Sequence, residues 1–94
     1  MKNFGKMIKQ AQELQAKMSA LQGELGQKQV EATAGGGMVT TVVNGNQELV
    51  SLTIEKEVVD PEDVELLQDL ITAAVNEAIS RSKEMVRDEM TKLT

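Results

Sequence analysis

Between Phe4 and Leu25 the apolar residues Phe4, Met7, Ala11, Leu14, Met18, Leu21 and Leu25 recur at steps of 3, 4, 3, 4, 3 and 4. Only a helix keeps such positions on one side. The alternating steps average 3.5 residues per turn, the spacing of a narrow coiled-coil seam. Ile8 widens the seam near its start, and the Lys, Gln and Glu between these positions are good helix formers that keep the other face wet. Gly23 and Gly26 weaken the far end, and Gly26 is expected to stop the helix. A helix of this span is over 30 Å long at about 1.5 Å per residue. A seam that narrow on a helix that long calls for another helix beside it.

What could stabilise the rest is limited by composition. The 94 residues form one domain, 1–94, with no Cys, no His and a single aromatic residue, Phe4. Disulfides and the common zinc sites are excluded, no cofactor is expected, and a small core of this kind gains most from a second subunit. Lys2, Lys6 and Lys9 precede no continuous apolar run. No secretory signal or membrane span is therefore read, and a cytoplasmic location is expected.

The texture changes after the seam. Val30, Ala32 and Ala34 alternate with polar residues as in a short strand, and lead into Gly35-Gly36-Gly37. Met38 to Val43 is β-branched and strand-like. Asn44-Gly45 is a hairpin signal, because both residues tolerate positive φ. Glu48 to Glu55 then sets Val50, Leu52 and Ile54 on one face and Leu49, Ser51 and Thr53 on the other. Asp60-Pro61-Glu62-Asp63 opens a second helix, with Asp60 as its cap and Pro61 in its first turn. From Leu66 to Ile79 this helix is apolar on more than one face, so it is expected between the sheet and a second subunit. Its charged end is expected to project. The class is α+β: an α-β-β-β-α protomer with a three-stranded antiparallel meander.

No catalytic constellation survives inspection, and no enzyme is expected. Ser and Thr have no His base. Pairs such as Glu62 and Asp63 read as solvated acids near a helix start, with no pocket to shift them. The triple glycine lacks the Gly-Lys-Ser/Thr ending of a phosphate loop and does not open a helix, so Gly36 is read as structural. The carboxylates do not follow calcium-loop spacing, and no metal site is expected.

Charge is what remains. The net charge is -5, with local balances of +3 over residues 1–30, -9 over 31–80 and +1 over 81–94. Lys2, Lys6, Lys9 and Lys17 lie on the first helix, and Arg81, Lys83, Arg87 and Lys92 lie near the end of the second. The plain reading is two solvated helix faces. The functional reading is that the two ends meet as a basic rim around an acidic body, attracting phosphates to the rim alone. With no interleaved aromatic residues, stacking on single-stranded bases is not expected.

These residues also carry a resemblance. Glu31-Ala32-Thr33-Ala34-Gly35-Gly36-Gly37-Met38-Val39, the turn Val43-Asn44-Gly45, the strand Leu49 to Ile54, Asp60-Pro61-Glu62-Asp63, Leu67 to Ile71 and Ala73 to Ala78 follow one another in a familiar order. With Met7, Gln10, Ala11, Leu14 and Met18 ahead of them, they resemble the YbaB/EbfC nucleoid-associated proteins over nearly the whole chain. The resemblance implies an intertwined homodimer with helices projecting like tweezers, and sequence-tolerant binding of double-stranded DNA in the bacterial nucleoid. It implies DNA contacts at Lys2, Lys6, Lys9, Lys17, Arg81, Lys83 and Arg87. The rival is a helical protein-interaction module, a holdase-like clamp with no DNA role. Salt separates the two, since phosphate binding weakens steeply with salt and an apolar clamp does not.

Overall fold

The computed structural model describes residues 3–92. Helix α1 runs over Phe4–Gln27, strands β1, β2 and β3 over Gln29–Ala34, Val39–Asn44 and Leu49–Ile54, and helix α2 over Val64–Thr91. A short 3-10 turn at Lys56–Val58 links the sheet to α2. The strands form an antiparallel meander in the order β1-β2-β3, as the alternation predicts. Helix α1 ends one residue beyond the expected glycine stop, and Lys28 continues in extended backbone.

One face of the sheet is covered by α2, along a line of small residues. Ala74, Ala78 and Ser82 follow one another at intervals of four on α2, and all three are buried. Opposite them lie Ala32 of β1 and Val39, Thr41 and Val43 of β2, also buried. Thr41 would leave a polar group in this dry contact. Its hydroxyl instead donates to the Ala74 carbonyl oxygen at 2.8 Å, fastening the sheet to the helix backbone. At the edge, Arg81 Nη1 donates to the Glu31 carbonyl oxygen at 2.7 Å and ties α2 to β1.

Helix α2 covers β1 and β2 but not β3. Leu49, Val50 and Leu52 remain 49%, 47% and 40% exposed, although β3 is the most apolar strand. A bulge between Val42 and Val43 brings Leu49, not Val50, opposite Val43. The strict division of β3 into two faces is therefore corrected: the alternation breaks at its first two residues.

Both turns differ in detail from the sequence reading. Gln47 N–H donates to the Asn44 carbonyl oxygen at 3.1 Å, and Asn44 N–H to that of Glu48 at 3.0 Å. The left-handed residue is Gln47, with φ 65°, and neither Asn44 nor Gly45 has positive φ. The connection is a three-residue loop closed by a left-handed residue, not a two-residue turn with two positive-φ positions. The cap of α2 moves as well. Asp63, not Asp60, accepts from Leu66 N–H at 3.2 Å, while Asp60 accepts from Glu62 N–H at 2.9 Å in a turn ahead of the helix. Pro61 lies in that turn, so the chain bends once more before the helix begins.

The triple glycine links β1 to β2 with φ values of 65°, 67° and 96°. A Cβ at Gly36 would touch nothing, so only the backbone conformation demands glycine there. Gly36→Ala is expected to cost about 1–2 kcal/mol of stability through left-handed strain alone. A thermal melt checks this, and an unchanged melting temperature would show that the turn relaxes to another conformation.

Candidate nucleic-acid interface

Helix α1 leaves the sheet at the β2–β3 turn. Its last turn lies directly on that turn, backbone against backbone. Gly45 N–H donates to the Lys28 carbonyl oxygen at 3.0 Å, and a Cβ at Gly45 would collide with the Leu25 carbonyl oxygen. Leu25, 3% exposed, shares a small hollow with Gln22, Asn46, Val86 and Met90, so the end of α2 closes over the root of α1. Buried Ser82 fixes the same region, donating to the Asn44 carbonyl oxygen at 2.6 Å and accepting from Gln47 Nε2 at 2.8 Å. Glu89 of α2 finishes the joint by pairing with Lys28 and Lys92, both at 3.2 Å.

From this root α1 stands out alone. The molecule measures 74 × 17 × 16 Å, and its radius of gyration of 19.8 Å far exceeds the roughly 12 Å of a compact chain this long. Helix α2 also runs past the sheet, as expected, but the root of α1 accompanies it.

The basic residues divide between the arm and its root. Lys6, Lys9 and Lys17 are exposed on α1, with Lys6 and Lys9 on the side away from the apolar seam. At about 1.5 Å per residue, Lys17 stands roughly 12 Å and Lys6 roughly 28 Å beyond Leu25. Lys83 and Arg87 are exposed one turn apart on α2. Among the described residues, none of these five holds an ion pair. Arg81 is different, since Glu77 and the β1 carbonyl both engage it. Lys92 is bound to Glu89, Lys28 joins that cluster unanticipated, and Lys2 lies outside the described residues. The start of α1 does not meet the end of α2; it is the root of α1 that does. The expected single rim is thus a line of cations, sparse at the arm's tip and denser at its root.

The acids gather at the opposite end. Glu55, Glu57, Asp60, Glu62, Asp63, Glu65 and Asp69 follow β3 and open α2, beside the glycine turn. Some of them, Glu57, Asp60 and Asp63, rim a shallow hollow floored by Met38, Val58, Leu66 and Leu70. A six-residue sheet separates this end from the root, and the arm lies beyond that. The charge asymmetry of the sequence has become a polarity along the long axis. Among the described residues, no helix is long and apolar enough to cross a membrane, and no group of three or more acids could hold a metal ion.

An unenclosed line of cations on a projecting helix, behind which an acidic body is held at a distance, suits an extended polyanion better than a small molecule. The comparisons agree in class. The sequence matches the YbaB/EbfC DNA-binding family over residues 1–94, and the chain belongs to that family. A nucleoid-associated protein of Moorella thermoacetica is 58% identical over 94 residues, covering 100% of this chain and 90% of that protein. Another, of Pelotomaculum thermopropionicum, is 54% identical over 92 residues, covering 98% and 88%. In structure the chain is similar to an uncharacterised protein of Helicobacter pylori, with a TM-score of 0.83 and 24% identity over 96% of this chain and 95% of that one. That likeness shows the fold.

The cluster at the root gives a pH-dependent prediction. The hydrogen-bonded ammonium groups of Lys28 and then Lys92 hold the Glu89 carboxyl below its ordinary value. A lowered folded-state pKa contributes stability above the unfolded value, lost as pH falls through the folded one. Glu89→Gln should therefore lower the melting temperature slightly at neutral pH, with the difference vanishing in acid once Glu89 is protonated in the wild type. A deficit that persists in acid would assign the role of Glu89 to packing.

Proposed function

We propose that the protein binds double-stranded DNA as a homodimer, without catalysis, through phosphate contacts made by Lys2, Lys6, Lys9, Lys17, Lys83 and Arg87, with Arg81 adding positive charge at the base of the arm. Its site of action on this reading is the nucleoid of the bacterial cytoplasm, which accords with relatives named nucleoid-associated proteins. The observation that carries it is the polarity of charge: exposed lysines without ion pairs line a projecting helix, and the acidic cluster sits at the other end. A duplex is drawn to the arm and turned away from the sheet. Phosphate contacts set position without reading bases, so the binding tolerates sequence.

The homodimer is supported by the poverty of the protomer's core. Its fully buried side chains are no larger than valine, while Leu49, Val50 and Leu52 of β3 and Val64 and Leu66 of α2 are exposed. Burying them against a second copy supplies apolar contact the protomer lacks, worth about 25 cal/mol per Å² removed from water. Sedimentation at micromolar concentration is expected to give a dimer; a well-folded monomer would overturn this.

Each phosphate neutralised contributes about 0.9 to the slope of log affinity against log salt. A dimer presents each side chain twice, so Lys6→Gln/Arg87→Gln is expected to lower that slope by up to about 3.6, alike on two unrelated duplexes. Fluorescence anisotropy at several salt concentrations measures it, after equal melting temperatures are established. Unchanged slope and affinity would remove DNA from these surfaces, and binding of a protein ligand that strengthens with salt would favour the clamp.

A further inference from the structure

Among the described residues, Lys28, Arg81 and Lys92 are paired with carboxylates, and they are held differently. Arg81 is engaged by Glu77 and also by the Glu31 carbonyl oxygen, which fixes it to the sheet. Lys28 and Lys92 are held by Glu89 alone, each at 3.2 Å. We propose that Glu89 keeps Lys28 and Lys92 off the DNA, so that the root of the arm holds two further phosphate-binding side chains per protomer in reserve. The proposal rests on the DNA reading and adds the residue that limits it.

The position of the cluster supports this. Lys28 is the residue that follows α1, Glu89 lies in the last turn of α2, and Lys92 comes just after it. Val86 and Met90 of α2 face the root of α1. Helical spacing sets the exposed Lys83 and Arg87 on one flank of that pair and Glu89, with its two lysines, on the other. One flank of the joint is openly cationic. The other carries two lysines as well, but both are engaged.

The side chains of Lys28 and Lys92 are 50% and 72% exposed, and that of Glu89 is 23% exposed. Both lysines reach solvent on long stems, whereas the carboxylate between them is partly enclosed. Solvent-exposed ion pairs are weak, so neither lysine is trapped. What keeps them from a duplex is the charge they would leave behind. A lysine that passes from Glu89 to a phosphate exchanges one ion pair for another. When both pass, an unpaired carboxylate is left beside a polyanion, and like charges repel. That repulsion offsets the gain from each new contact. Without the carboxylate nothing offsets it, and both ammonium groups are free for phosphates.

A neighbouring acid supplies the contrast. Asp88 is exposed and holds no cation among the described residues. Neutralising it changes the net charge by the same amount as neutralising Glu89 and releases no lysine.

Glu89→Gln keeps the size of the side chain and removes its charge. Fluorescence anisotropy of the full chain on a labelled duplex at several salt concentrations is expected to show tighter binding. The slope of log affinity against log salt should steepen by about 1.8 to 3.6, because each released lysine adds about 0.9 and a dimer carries each lysine twice. The melting temperature should fall slightly at the same time. Affinity and stability then move in opposite directions, which a purely structural role for Glu89 would not produce. Asp88→Asn should leave the slope at its wild-type value, and Lys28→Gln/Lys92→Gln added to Glu89→Gln should return it there. An unchanged or shallower slope in Glu89→Gln, with a wild type that binds the duplex, overturns the restraint and leaves the DNA reading standing. So does a slope that rises equally in Asp88→Asn, or one that stays steep without the two lysines. A wild type that gives no anisotropy change with duplex even at low salt removes the DNA reading and this proposal with it.

Discussion

The structure depends on how closely α2 can approach the sheet. Ala74, Ala78 and Ser82 form the contact line on the helix, and Ala32, Thr41 and Val43 meet them from the strands. Side chains this small let the helix sit near the strands, close enough for the Thr41 hydroxyl to reach a helix carbonyl at 2.8 Å. The same smallness restricts how much apolar area the protomer can bury. The larger side chains of α2, from Leu66 to Ile79, are displaced to the flanks of the contact and remain partly open, and β3 lies beyond the helix altogether. A protomer built this way is held in shape by fit and hydrogen bonds while its best apolar material faces outward. The homodimer proposed above would cover that material.

A second close approach sets the direction of the arm. At Gly45 the sheet's turn and the end of α1 touch through their backbones, and the Leu25 carbonyl occupies the space a side chain would need. Backbone contact leaves little freedom for α1 to swing, because neither partner has a rotamer to change. Buried Leu25 and the Lys28–Glu89–Lys92 cluster then pin the joint from two further sides. Among the described residues, the stretch from Asn3 to Lys17 is cantilevered from this point.

Much of this was legible in the sequence because periodicity is a local property. The 3.5-residue seam identified α1, and period-two alternation in β1 and β3 with the β-branched run of β2 located the three strands to within a residue or two. The failures lie where geometry is decided by a partner the sequence does not display. Asn44-Gly45 has the composition of a tight turn, yet glycine stands there because α1 is seated on it, and the left-handed conformation falls to Gln47. Asp60 and Asp63 are both competent caps, and the turn around Pro61 decides between them. The basic residues were found by composition, but their roles were not. Arg81 and Lys28 are indistinguishable in sequence from Lys83 and Arg87, and only the fold binds the first two to protein partners.

An acidic protein in a DNA-binding family poses less of a conflict than its net charge of -5 implies. At physiological ionic strength a charge is felt over about 8 Å, so a phosphate beside the arm responds to the arm and not to the distant acids. Net charge governs only the far field, where repulsion is weak and screened. On the proposed reading the acidic end would act by exclusion, raising the energy of any duplex lying along the sheet and leaving the arm as the favourable approach. Because the cations are spread along a helix rather than gathered in a pocket, their binding energy accumulates in small, equivalent, salt-sensitive steps. On the proposed reading, such an arrangement would give orientation without sequence readout, since phosphate contacts position a protein without reading bases.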